Sequence, residues 1–188
     1  MRKIIVFNMV TLDGYFAGTD GNIDWHNTDE EFNKFAEEQT PEFGTLIFGR
    51  KTYDLMVSYW PTDAGKRDDP VIAKIMNSIP KIVFSKTLKG DLWENTKVFE
   101  KITPENVIAW KEKEGSDGKP AAIFGSGEIV RQFADLDLID EYRLLINPII
   151  LGDGKSLFEG VKEKINLKLT DTREFKNGNI LLTYEPAR

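Results

Sequence analysis

Cysteine is absent from this chain of 188 residues, so it has no disulfide framework, no thiolate metal site and no cysteine nucleophile. Histidine occurs once, at His26. That removes multi-histidine zinc and iron sites, and no metal site is expected. Any Ser-His-Asp arrangement would depend on His26 alone, and no nucleophile stands near it at a readable spacing. A basic excess is also missing: 25 Lys and Arg stand against 31 Asp and Glu, a formal charge of −6, with the cations scattered among the acids. Nucleic-acid capture by phosphate neutralisation is therefore not expected. Nowhere do 18 apolar residues run together, and the apolar start is soon interrupted by Asp13. No membrane span or signal segment is read, and the expected location is the cytoplasm.

What is present suits a folded, water-soluble protein: 40% hydrophobic, 11% aromatic and 30% charged residues. Without a repeat, low-complexity tract or linker, residues 1–188 read as one domain. Ile4-Ile5-Val6-Phe7, Leu46-Ile47-Phe48, Ile82-Val83-Phe84 and Ala121-Ala122-Ile123-Phe124 are short apolar runs of the kind that form strands buried on both faces, and Lys97-Val98-Phe99 is a shorter one. Between them, helices are expected from about Asp29 to Gln39, after an N-cap at Thr28, from Arg50 to Met56, from Pro104 to Glu114, and after Gly127. The glycine-rich stretch Gly115–Gly118 ends the third of these, and Asp63–Asp69 reads as a mobile polar loop. From Ile139 onwards the pattern is strands: Tyr142–Ile146, Ile165–Thr170 and Ile180–Tyr184, the last after the turn signal Asn177-Gly178. The sum is an α/β sandwich with a largely parallel sheet and an antiparallel C-terminal edge.

Two strand-to-helix junctions carry glycine: Phe48-Gly49-Arg50-Lys51-Thr52 and Phe124-Gly125-Ser126-Gly127-Glu128. Such junctions let backbone N–H groups approach a phosphate, and two in one sheet suggest a pyrophosphate held between two helix ends. Neither is a Walker sequence, and Gly125-Ser126-Gly127 lacks the third glycine of the usual dinucleotide fingerprint. Arg50, Lys51 and Lys86 sit just beyond strand ends, where they would suit a 2′-phosphate and favour NADP(H) over NAD(H). The long first loop, Thr11–Asp24, puts Asp13 beside Gly14, and Asp13, Asp24, Asp29, Glu30 and Glu31 are candidates for a substrate-orienting carboxylate or a proton relay. Tyr15, Trp25 and Phe32 could wall a planar heterocycle.

In order and type, these segments resemble the dihydrofolate reductase fold, a three-layer sandwich. Leu12-Asp13-Gly14 with Asn147-Pro148-Ile149-Ile150-Leu151-Gly152-Asp153-Gly154-Lys155-Ser156-Leu157-Phe158 resembles more closely the reductase domain of the riboflavin-pathway pyrimidine deaminase/reductases and their small stand-alone bacterial relatives. The resemblance implies NADPH as cofactor. It puts Gly49, Arg50, Lys51 and Thr52 under the pyrophosphate and adenosine phosphate, Ser85 and Lys86 on the adenine side, and Gly125, Ser126, Gly127 and Glu128 at the rest of the pyrophosphate site. Asp13 and Gly14 would face the nicotinamide and substrate as catalytic residues, with Ile23-Asp24-Trp25 in a lid. Dihydrofolate reductases use a carboxylate early in the first helix to hold the pterin; here Asp29, Glu30 and Glu31 crowd that region, and the sequence singles out none of them.

The expectation is an NADPH-dependent reductase of a small pyrimidinone-, pterin- or flavin-like substrate, with activity like that of a 5-amino-6-(5-phosphoribosylamino)uracil reductase within its range. The alternative is a catalytically silent nucleotide- or ligand-binding module on the same fold. The resemblance also implies a homodimer through the C-terminal strands.

Overall fold

The computed structural model describes residues 2–113 and 118–187. Its centre is an eight-stranded sheet in the order β5-β4-β3-β6-β1-β7-β10-β9. The strands are β1 (Ile4–Thr11), β3 (Thr45–Gly49), β4 (Lys81–Phe84), β5 (Thr96–Phe99), β6 (Ala121–Ile123), β7 (Glu141–Asn147), β9 (Leu167–Glu174) and β10 (Ile180–Pro186). All neighbours from β5 to β7 pair in parallel, while β10 runs antiparallel to both β7 and β9. The α/β class with a mostly parallel sheet and antiparallel C-terminal strands is thus present. The sequence pattern gave β7 to the antiparallel part, whereas it pairs in parallel with β1 from Ile5↔Glu141 to Thr11↔Asn147.

Alternation along the strands explains the layers. Ile5, Leu46, Phe48, Val83 and Ala122 point to one face, where Tyr53 of α2 (Arg50–Val57) and Ile72 and Met76 of α4 (Pro70–Ser78) cover them. On that same face, α1 (Glu30–Gln39) seats Phe35 among Leu145, Phe175 and Leu181, with Phe7, Met9 and Phe32 alongside. Ile4, Val6, Ile47, Ile82 and Ile123 point the other way, against Val107 and Trp110 of α5 (Pro104–Lys113) and Ile129, Val130 and Phe133 of α6 (Gly127–Asp135). Central strands buried on both faces favour apolar residues on both, which is why they read as short apolar runs rather than as an alternation.

Several expectations are corrected. Asp63–Asp69 is not a loop: α3 (Asp63–Asp68) fills it, with Thr62 accepting from the Gly65 N–H at 3.2 Å. Next comes α4, which the sequence reading passed over, although Asp69 caps it by accepting from the Ile72 N–H at 2.9 Å and Pro70 sits in its first turn. The cap of α1 is Asp29 rather than Thr28, accepting from the Phe32 N–H at 2.8 Å. The long first loop holds a short strand, β2 (Tyr15–Ala17), paired with β8 (Lys155–Ser156). Of the turn expected at Gly115–Gly118, residues 115–117 lie outside the described residues, as does the last residue of the helix expected to end at Glu114.

Lys81 is the least exposed charged side chain among the described residues, at 1%. Its Nζ donates to the carbonyls of Asn77, Ile79 and Glu94 at 2.8–3.2 Å and lies 4.3 Å from the Trp93 ring centroid. Burial pushes its pKa down to about 8. No helix among the described residues is long and apolar enough to cross a membrane.

Candidate active site

A cleft of about 1620 Å³ opens at the C-terminal ends of the parallel strands, between α1 on one side and α2 with α4 on the other. Open parallel sheets bind ligands at this end because the loops there are free of the sheet's own pairing. The two glycine junctions meet at its wall. Gly49 N–H donates to the Gly125 carbonyl at 2.9 Å, and a methyl group on Gly49 would lie 2.8 Å from Ser126 Oγ and 2.9 Å from the Ile129 side chain. Gly125 has φ +116°, a conformation that side-chain-bearing residues rarely adopt, and the Gly125–Ser126 peptide is cis.

From this contact α2 and α6 start side by side. Their N-caps, Gly49 and Ser126, make no side-chain capping bond, so the first-turn N–H groups are not consumed by the chain's own side chains. Lys51, Thr52, Gly127 and Glu128 line the cleft there. The Glu128 carboxylate turns back along its own helix to Arg131 at 2.7 Å and Gln132 at 2.8 Å, and the Arg131 guanidinium lowers its pKa. Arg50 also lines the cleft, its Nε held by both Asp54 oxygens at 2.8 Å. Ser85 and Lys86 border the same end. Ser85 Oγ accepts from the Thr87 and Leu88 N–H groups, closing the turn after β4, and Lys86 is exposed.

The other end is aromatic. Phe7, Phe43 and Phe124 interlock with centroid separations of 5.7–6.4 Å, and Phe32, Ala36, Met56 and Trp60 continue the wall. The α1 positions facing the cleft are Phe32, Asn33, Ala36 and Gln39, followed by the C-cap Thr40. None of the three crowded acids is among them. Asp29 is the helix cap, Glu30 is exposed, and Glu31 accepts from the Lys176 N–H at 3.0 Å. The carboxylate that holds a pterin in dihydrofolate reductases has no counterpart on this helix face.

Asp13 and Gly14 do not line the cleft. The Asp13 carboxylate accepts from Thr11 Oγ1 at 2.6 Å, Gly152 N–H at 2.8 Å and Leu151 N–H at 3.3 Å, so it staples the end of β1 to the loop before β8. The Thr11 hydroxyl, ahead of the Gly152 N–H, holds its pKa below the ordinary carboxylate value. Gly14 is an exposed turn residue at φ +86°. Tyr15 lies against Gly154 rather than in the cleft, where its neighbour Phe16 stands instead. Trp25 packs edge-on against His26 at 4.6 Å, and His26 is the one that reaches the cleft wall. Burial lowers the His26 pKa to about 4, so the ring is neutral at neutral pH.

The loop carrying these two rings is tied down by asparagines. Asn27 N–H donates to Asn147 Oδ1 at 2.9 Å, while Asn177 and Asn179 both donate to the Asn27 carbonyl, at 3.0 and 2.6 Å. Cleft residues that sequence reasoning missed include Asn8, Phe16, Asn33, Gln39, Trp60 and Lys155. The i, i+4, i+7 spacing of Phe32, Ala36 and Gln39 was the available signal for one of them. The others depend on pairings between distant segments. Among the described residues no group of three metal-ligating side chains gathers.

The mostly parallel sheet with antiparallel C-terminal strands is the dihydrofolate-reductase-like fold. Dihydrofolate reductase from Enterococcus faecalis, in a complex with NADP(H), has a similar fold: TM-score 0.66 at 16% identity, over 99% of this chain and 97% of that one. The chain belongs to the RibD C-terminal domain family, which it matches over residues 2–181. It is 34% identical over 186 residues to the protein YyaP of Bacillus subtilis (strain 168), covering 97% of this chain and 94% of that protein. A putative riboflavin biosynthesis protein from Shewanella sp. PV-4 shares the fold with a TM-score of 0.73 and 24% identity, over 99% of both chains. Membership of this family is consistent with an oxidoreductase.

Proposed function

We propose that this protein is an NADPH-dependent reductase that acts on a small planar heterocycle of the pyrimidinone, pterin or flavin kind. The observation that carries the reading is the contact between Gly49 and Gly125, which brings two uncapped helix N-termini to one cleft wall. A side chain at Gly49 would strike Ser126 and Ile129, and one at Gly125 would press on Thr52, so glycine at both positions lets the two turns close on each other; the helix N–H groups they bring to one wall, free of side-chain caps, fit a pyrophosphate. First-turn N–H groups of α2 and α6 would hold the pyrophosphate. Arg50, Lys51 and Lys86 would hold the 2′-phosphate, and Ser85 would border the adenine. When bound, NADPH supplies the hydride. The interlocked phenylalanines give the substrate ring an apolar seat and exclude water from it. Asp13 acts at one remove, by fixing the loop that precedes Lys155 and Ser156, both of which line the cleft.

A second reading, a ligand-binding module without turnover, also has an observation behind it. The α1 wall presents no carboxylate and His26 is neutral, so that end of the cleft holds no strong proton donor from either. Titration with NADPH and NADH, following fluorescence of Trp60 in the cleft wall, tests the cofactor. NADPH is expected to bind at least about tenfold tighter than NADH, a difference of the size that charge-assisted phosphate contacts supply. Binding of neither ends the reductase reading. NADPH binding without oxidation across pterins, flavins and pyrimidinones decides for the module.

A further inference from the structure

Gln39 is 7% exposed, at the end of the α1 stripe that also carries Phe32 and Ala36. Its carboxamide makes no hydrogen bond to any described residue, although its neighbours are paired: Thr40 Oγ1 donates to the Ala36 carbonyl at 2.6 Å, and across the cleft Asn8 Nδ2 donates to the Phe124 carbonyl at 3.2 Å. At so little exposure a carboxamide that bonds only to solvent gives the fold nothing that an apolar side chain on this stripe would not also give. Oδ1 of Asn8 also lacks a partner, but it is sealed inside the protein, whereas neither polar atom of Gln39 is enclosed in that way. Gln39 lines the cleft whose floor is Phe7, Phe43 and Phe124. It also borders a smaller groove of about 420 Å³ on the far side of α1, but there Arg143 is already paired with Glu141 and Glu42.

A carboxamide presents one donor and one acceptor in a plane, and its complement is a cis-lactam, a ring N–H beside a ring C=O. We infer that Gln39 is the specificity-determining residue that reads the lactam edge of a planar ring seated on the phenylalanine floor. This rests on the reading that the cleft takes a planar heterocycle, and it deepens that reading by naming the edge that is recognised. The absence of a carboxylate from the cleft-facing α1 residues agrees with it. A carboxylate selects an edge with two adjacent N–H donors, whereas an amide selects one donor and one acceptor.

Calorimetric titration of the full chain with lumazine, which carries lactam N–H and C=O groups, and with 1,3-dimethyllumazine, whose nitrogens are blocked, tests the assignment. The protein is expected to bind lumazine at least about tenfold tighter than its dimethyl derivative. Gln39→Leu is expected to bind the two alike, to keep its NADPH affinity, and to unfold at about the same temperature, because no hydrogen bond to the rest of the chain is lost. Gln39→Glu, which keeps the side chain's length, is expected to shift preference from lumazine to pterin, whose edge offers adjacent N–H donors. Equal binding of both lumazines, binding of neither, or a preference that survives in Gln39→Leu overturns the inference. NADPH titrated into the same samples separates the two levels. No NADPH binding by the unmodified protein defeats the reductase reading, and intact NADPH binding without a ring preference defeats only the role of Gln39.

Discussion

At the scale of single residues, His26 shows how burial turns a titratable group into a stability sensor. Its folded pKa is about 4 against 6.5 for the free side chain, because the ring is desolvated. Between those values the unfolded chain binds a proton that the folded chain refuses. Stability contributed by this residue is therefore complete above about pH 6.5 and is lost as pH falls towards 4, by at most about 3 kcal/mol. Denaturant midpoints measured from pH 7 to 4.5 should fall for the native sequence and fall less steeply for His26→Gln; parallel slopes would contradict the assignment. Residue identity was legible where role was not. Asp13 stands out in the sequence as an acid beside a glycine in a long loop, but its three partners, Thr11, Leu151 and Gly152, include two from a segment about 140 residues away. Only the folded chain reveals that the carboxylate is committed to a staple.

At the scale of elements, legibility followed burial. Strands β1, β3, β4 and β6 declared themselves because both of their faces are covered, so each carries at least three consecutive apolar residues. The two glycine junctions were read for the same reason, since each follows directly on such a strand. By contrast α3 is six residues long with a single buried residue, Gly65, and it offers no apolar period to read. The loop that precedes α1 belongs to this scale as well, because its position depends on an asparagine clasp assembled from three elements. Asn147 is fully buried and accepts the Asn27 N–H, so Asn147→Ala would leave that donor unpaired and open a small cavity. A loss of about 2 kcal/mol is expected. Amide exchange should rise across residues 18–29 while β3, β4 and β6 stay protected; uniform acceleration throughout the sheet would mean that the clasp has no local role.

At the scale of the whole molecule, the sheet has two unlike ends. The ligand cleft is built on β1, β3, β4 and β6, whereas β9 forms the far edge, with seven of its eight residues exposed. Nothing among the described residues pairs its outer side, and Leu167 and Leu169 are 39% and 49% exposed along it. A long unpaired strand with apolar side chains is a template for another strand, and stable proteins cover such edges. The simplest cover is a second copy placed by two-fold symmetry, edge to edge. The prediction is a dimer by light scattering at micromolar concentration, reduced to a monomer by Leu169→Lys, since a charged side chain on an edge strand discourages pairing with another strand. Because β7 and β10 separate this edge from the cleft, the monomeric variant should still bind NADPH with little change. A native chain that is already monomeric would dismiss the edge as an interface. Loss of NADPH binding on dissociation would instead mean that the second copy supports the cleft.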